Sequence, residues 1–217
     1  MLDKVQSISK LFYEIPLDYK RIDEVLEKER FDQRSLQEIC EDVCGLLYDY
    51  EEGKLPYDQK SMAEHMIKAF ERLIHHGLDI NNEEDECFNV MFEVFMFRIP
   101  YVTPAILRYL IEQGGDPNLV TRYSNPESLY EYVYDEIFLV GEDVCDATVH
   151  SYLVLLGFGG RQEGCRIPNM IPTGGDIRIF REFERFEYQV DQDPQKPWVV
   201  IELHIFNKET KEEVLTV

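Results

Sequence analysis

Basic residues are scarce in this chain: 22 Lys and Arg stand against 43 Asp and Glu, giving a formal net charge of −21 at pH 7. That shortage excludes nucleic acid as a direct ligand, because a phosphate backbone demands a positive surface. Long apolar runs are missing too. The most apolar region, Phe88 to Ile111, is interrupted by Glu93, Arg98 and Arg108, so no membrane span is expected. The amino end places Asp3, Lys4 and Gln6 where a secretory signal needs its apolar core, and no such signal is expected. The five cysteines are odd in number and lack the compact spacing of a disulfide framework. Asn-x-Ser/Thr is absent as well. A reducing cytoplasm is the expected compartment.

Signatures of catalysis are equally thin. There is no Gly-x-Ser-x-Gly, Walker loop or His-Glu-x-x-His. The glycine-rich stretch GFGGRQEG from Gly157 lacks the Lys-Ser/Thr that phosphate cradling needs, and its glycines read as a helix stop. Cys40 and Cys44 lie one helical turn apart and could form half a metal site, but a zinc site needs two further ligands. Both fall on an apolar stripe, where buried free cysteine is common. His65, His150 and His204 are isolated, and His75-His76 fits a helix carboxyl end, where a cation meets the dipole favourably. No metal, no cofactor and no enzymatic activity are expected.

What is present is a foldable chain. Its 217 residues are 44% hydrophobic, with 13 Tyr and 13 Phe, so it suits one or two domains with a sizeable core. Apolar residues at i, i+3, i+4 spacing predict helices along most of its length. The first runs from Leu2 to Tyr13 and is closed by Pro16; a second, capped by Asp18, carries Ile22, Val25 and Leu26. Ser35 to Glu52 follows, with Leu36, Ile39, Cys40, Val43, Leu46 and Leu47 on one stripe. Ser61 is expected to cap a helix through His76, on the stripe Met62, Met66, Ile67, Phe70, Leu73 and Ile74. Glu86 to Arg98 carries Phe88, Met91, Phe92, Phe95 and Met96. Thr103-Pro104 reads as an N-cap with Pro at the first helical position. Asn125-Pro126 opens a helix through about Leu139, with Leu129, Val133 and Ile137 inward. Asp143 or Asp146 starts the last.

Two of these helices end alike. Leu73-Ile74-His75-His76-Gly77-Leu78-Asp79-Ile80-Asn81 reappears as Leu110-Ile111-Glu112-Gln113-Gly114-Gly115-Asp116-Pro117-Asn118, 37 residues later. Both read LIxxGxDxN. The Leu-Ile pair is the last core-facing step of a helix, Gly suits the left-handed position just past its end, and Asp with Asn fixes a turn. Leu155-Leu156-Gly157-Phe158-Gly159-Gly160 reads as a third, degraded copy, and VLEKERFD from Val25 as a worn one with Glu29 at the glycine position. Self-similarity at a period of roughly 20–50 residues marks a solenoid.

These residues resemble the end of an ankyrin repeat. The resemblance covers about Arg34–Arg161 and is divergent: the Thr-Pro-Leu-His opening of the first helix is missing, and the spacings of 37 and 45 residues exceed the family's length of about 33. A HEAT-like or other α-solenoid stays open. The resemblance implies a mainly α fold, an ankyrin-like solenoid of about four helix pairs over residues 1–160, with 1–34 as a capping pair. Residues 161–217 change character. Pro168, Pro172, Gly174 and Gly175 mark a turn, Phe186, Tyr188 and Val190 alternate, and so do Val199, Ile201, Leu203 and Ile205 in WVVIELHIF. A small antiparallel sheet at the carboxyl end, packed on the repeats, is expected.

The resemblance further implies a protein-protein interaction module. Residues 61–165 hold 18 acidic against 6 basic residues, which favours a basic protein partner and no membrane or nucleic acid. An immunity-type inhibitor covering a basic toxin is one concrete version. The expected contact residues are Asp79, Glu83, Glu84 and Asp85 in the connecting finger, together with Tyr123, Tyr130, Tyr134 and Asp135, where Tyr130 and Tyr134 are read as exposed beside the inward Leu129 and Val133. The alternatives are an enzyme with a dispersed site in the carboxyl-terminal region and a structural subunit of a larger assembly.

Overall fold

The computed structural model describes residues 2–82, 89–121, 127–136, 145–157, 186–193 and 196–216. The chain is mainly helical and divides into two compact units, Met1–Gly115 and Asp116–Val217. The division therefore falls before the compositional change at 161. Among the described residues no helix is long and apolar enough to cross a membrane.

The first unit is three helical hairpins: α1 (Leu2–Phe12) with α2 (Tyr19–Glu29), α3 (Gln33–Glu51) with α4 (Gln59–His75), and α5 (Val90–Phe97) with α6 (Val102–Glu112). Helices α1, α3 and α5 pack side by side, and so do α2, α4 and α6. The core lies between the layers. Ile8, Phe12, Ile22, Ile39, Val43, Met62, Phe70, Phe95, Ile106 and Leu107 are all completely buried, and each such side chain stabilises the fold by about 1.5–3 kcal/mol relative to exposure.

Aspartates start these helices, Asp18 as expected and Asp58 in place of the expected Ser61. Asp18 accepts from Arg21 N at 3.1 Å, Asp32 from Ser35 N at 2.9 Å and Asp58 from Ser61 N at 2.7 Å. Ser35 and Ser61 thus sit three residues inside, where their amides are the free donors that a cap satisfies. Asn89 caps α5 by accepting from Met91 N and Phe92 N. The expected Thr103 cap is also corrected. Helix α6 begins at Val102 with no side-chain cap, and Thr103 Oγ1 instead accepts from Ile99 N and donates to Val94 O inside the hairpin. Tyr101, just before α6, has φ +64° and ψ −45°, with Val102 N donating to Pro100 O at 2.8 Å. This is the γ-turn of positive φ, a strained geometry for a residue with a side chain.

In the second unit, β1 (Val120–Thr121) pairs antiparallel with β2 (Glu127–Ser128). Helix α7 (Leu129–Asp135) packs on α8 (Asp146–Gly157). The cap of α7 is Ser128 with Glu131 in a capping box, in place of the expected start at Asn125-Pro126. Strands β3 (Phe186–Asp193), β4 (Lys196–Asn207) and β5 (Glu213–Thr216) form an antiparallel sheet in that order, against which α8 lies at β4. The register sets Tyr188 opposite Ile205 and Val190 opposite Leu203. The sequence-predicted third copy of the motif ends at 158–160, outside the described residues.

Candidate interaction surface

The two LIxxGxDxN stretches fold alike. Leu73 and Leu110 are completely buried, and Gly77 and Gly114 adopt φ of +100° and +103°. Gly77 N donates to Ile74 O at 3.0 Å and Leu78 N to Leu73 O at 2.9 Å; in the second copy Gly114 N donates to Ile111 O at 2.9 Å and Gly115 N to Leu110 O at 3.0 Å. These bonds satisfy carbonyls that a helix end leaves open. Asp79 Oδ1 then accepts from Asn81 N at 2.9 Å, and in the second unit Asp116 Oδ1 accepts from Asn118 N at the same distance. The worn copy at the end of α2 shares only the left-handed position, one residue late: Arg30, not Glu29, holds it with φ 49°, and its N donates to Leu26 O.

Cross-links hold the first finger in place. Asn81 Nδ2 donates to Gly114 O at 2.8 Å, tying one motif to the close of the next hairpin. Asp79 O accepts from Gln37 Nε2 at 2.9 Å, so α3 begins at the same end of the unit at which α4 finishes. Asp23 on α2 receives Arg72 Nη1 and His76 Nε2 of α4, both at 3.2 Å. His76 is therefore an interhelical partner, while His75 is exposed, as the helix-end reading required of both.

Of the expected contact residues, Asp79 is exposed, although its carboxylate also fixes the turn. Glu83, Glu84, Asp85 and Tyr123 lie outside the described residues, and the same holds for the side chains of Tyr134 and Asp135. Tyr130 is corrected. It is completely buried, its hydroxyl 3.1 Å from that of Tyr152 and the two rings stacked at 5.5 Å. Tyr152 of α8 covers it on the side that the helical spacing left open. Tyr130 is a packing residue, not a contact residue.

The isolated titratable groups are absorbed by packing. Cys40 and Cys44 are buried free thiols, and the contact with Cys40, followed by burial, pushes the Cys44 thiol up. That keeps it protonated and poor as a nucleophile or metal ligand. Among the described residues no three His, Cys, Asp or Glu converge as a metal site. Buried His65 has Nε2 2.9 Å from Phe12 O and Nδ1 2.7 Å from Tyr57 OH. A carbonyl only accepts, so Nε2 carries the proton and the Tyr57 hydroxyl donates to Nδ1.

Sequence reasoning did not single out Tyr13, Ile15, Met96 and Tyr101, which the first unit leaves exposed, whereas exposed Tyr48 stands in an aromatic and acidic helix-end cluster with Asp49, Tyr50 and Glu51 that the sequence shows. Met96, part of the wide apolar surface expected on this helix, is 47% exposed, while Met91, Phe92 and Phe95 are buried. Tyr101 is also exposed. The chain matches no protein-family model, no curated protein and no solved structure.

Proposed function

We propose that the chain is an ankyrin-like protein-interaction module, a solenoid of helix pairs whose finger edge receives a basic protein partner. The observation that carries the reading is the equivalence of the two motifs. Each closes a helical hairpin with the same left-handed glycine, the same pair of backbone bonds and the same Asp–Asn turn. Repeated hairpins bury a continuous core only by stacking, and the surface left along the stack is an extended binding face rather than a pocket. The excess of acidic residues selects a basic partner and steers its approach. The cysteine usage fits action in a reducing cytoplasm. Binding, not catalysis, is the proposed activity.

The test begins with capture of a partner from native cell extract at low salt and its release at high salt. Asp79, Glu83, Glu84 and Asp85 are then replaced together by Asn or Gln, which removes charge and keeps most of the turn chemistry. The association rate is expected to fall about tenfold, and its salt dependence to flatten, as expected for rim charges. An unchanged rate and salt slope would return these acids to a solubility role.

A further inference from the structure

The first unit has two ends, and its exposed apolar surface is gathered at one of them. The finger end holds the starts of α1 and α3 and the finishes of α2, α4 and α6. Lys4 pairs there with Glu29, and Gln37 and Asn81 make the bonds described above. The opposite end holds the α1–α2, α3–α4 and α5–α6 turns. Tyr13 OH donates to Asp42 O at 2.9 Å, which sets the finish of α1 against the middle of α3. Helix α5 packs on α3 and on α6, and α6 finishes at the finger end beside Asn81, so the α5–α6 turn lies at the opposite end. Every large apolar side chain that is exposed in this unit, among the described residues, belongs to this turn end: Tyr13 (37%), Ile15 (47%), Tyr48 (54%), Met96 (47%) and Tyr101 (39%).

Scatter would not produce that distribution, since isolated exposed apolar residues are normal but a single-ended set marks contact. Tyr101 adds a second feature. Its ring is held outward by a backbone conformation that residues with side chains avoid, and such outliers concentrate where function maintains them.

The charge beside these residues points to the occupant. Residues 41–52 contain Glu41, Asp42, Asp49, Glu51 and Glu52 and no basic residue. Partial burial, then the charge of Glu52, push the pKa of Glu51 up. The chain itself shows how a cation sits here. Lys54 Nζ lies 5.0 Å from the centre of the Tyr48 ring and 2.8 Å from Asp49 Oδ1. An ammonium is thus met by an aromatic face and a carboxylate together. A second copy of the chain is a poor occupant, since two chains of −21 repel each other.

We propose that the turn end of the first unit, carrying Tyr13, Ile15, Tyr48, Met96 and Tyr101, is a docking surface for an amphipathic basic segment of a protein, with Lys54 holding the place of one of its cations. This rests on the reading of the chain as a binding module but not on the finger edge, which lies at the other end of the same helices.

The probe is a labelled peptide alternating lysine and leucine, titrated against the full chain by fluorescence anisotropy. The variant Tyr48→Ser/Met96→Ser/Tyr101→Ser is expected to bind it about tenfold more weakly, as for loss of aromatic anchors. Lys54→Met is expected to bind about two- to fivefold more tightly, the range of an exposed ion pair whose carboxylate is released. Glu27→Gln, which removes an exposed acid of α2 that belongs to neither surface, should bind as the parent does, which separates this surface from general charge attraction. The single variant Tyr48→Ser, at an exposed helix end, serves if the triple variant does not fold, and should weaken binding in the same direction. Equal affinity of the serine variants and parent would overturn the proposal. So would equal binding of a glutamate-leucine peptide, which would mean apolar adhesion alone. Dimerisation abolished by the same serines would overturn it in favour of a second copy, and loss of binding to phosphatidylcholine vesicles in favour of a membrane.

Discussion

Three backbone positions, two of them adjacent, make the closure of the hairpins measurable, because each responds to change for a different reason. Gly114 has φ +103°, and a Cβ placed on it would meet nothing within 4 Å. Any loss in Gly114→Ala is therefore conformational, about 1–2 kcal/mol for an L-residue in left-handed space. Gly115 is the reverse case. A Cβ there would stand 2.9 Å from Leu110 O, 2.9 Å from Met91 Sδ and 3.2 Å from Ile80 Cγ2. The methionine can move, but the Leu110 carbonyl is held by its bond from Gly115 N at 3.0 Å. Gly115→Ala should lose about 1–3 kcal/mol through overpacking. Arg30 completes the set from the other side, since a residue with a Cβ already occupies the left-handed position at φ 49°. Arg30→Gly should gain about 0.5–1 kcal/mol, the relief of that conformation less the extra freedom of glycine in the unfolded chain. Urea unfolding followed by far-UV circular dichroism reads all three, because the single tryptophan, Trp198, lies in the second unit. Midpoints should shift at constant slope. Gly114→Asn separates conformation from size: asparagine tolerates left-handed backbone and should lose less than alanine does. An unchanged midpoint for Gly114→Ala, or Asn as damaging as Ala, would refute the conformational account of the motif.

Leu110→Ala removes a completely buried side chain and should lower stability by about 2–5 kcal/mol in the same assay; a loss below this range would mean that the site collapses around the missing atoms. Burial of His65 holds its pKa below the ordinary 6.5 despite the bond to Phe12 O. The unfolded chain thus takes up this proton more readily than the folded one, so the contribution is complete above about pH 6.5 and is lost as pH falls from there towards the folded value. The urea midpoint should decline over that window, and a His65 imidazole resonance titrating at or above pH 6.5 would contradict the assignment. Chelators should leave the thermal midpoint in place, since Cys40 and Cys44 pack as buried free cysteines; a large drop on adding EDTA would show that they hold a metal.

Local rules made the helical class of the chain legible. The stripes Ile39–Val43–Leu47 and Met66–Phe70–Leu73 bury the face that their spacing selects, and the left-handed glycines stand where the repeated motif put them. These features depend on neighbours within one or two helical turns, so the order of residues determines them. Capping was less legible because Asp58 and Ser61 both qualify as caps and stand three residues apart. Only the backbone path decides which carboxylate or hydroxyl faces a free amide, and here it is Asp58. Burial of helix flanks was not legible at all. Periodicity says which row of a helix is apolar, but not whether a second element covers the adjoining row. Packing on α8 buries Tyr130 completely, while α5 leaves Met96 at 47% exposure. The strained turn at Tyr101 belongs with these. Nothing in Ile99-Pro100-Tyr101 demands positive φ, and the conformation arises because Thr103 is drawn into the hairpin by Ile99 and Val94, leaving Tyr101 to turn the chain into α6. Sequence alone thus determined where helices form and how two of them end; tertiary structure decided which side chains remained in water, because exposure depends on elements distant in the chain.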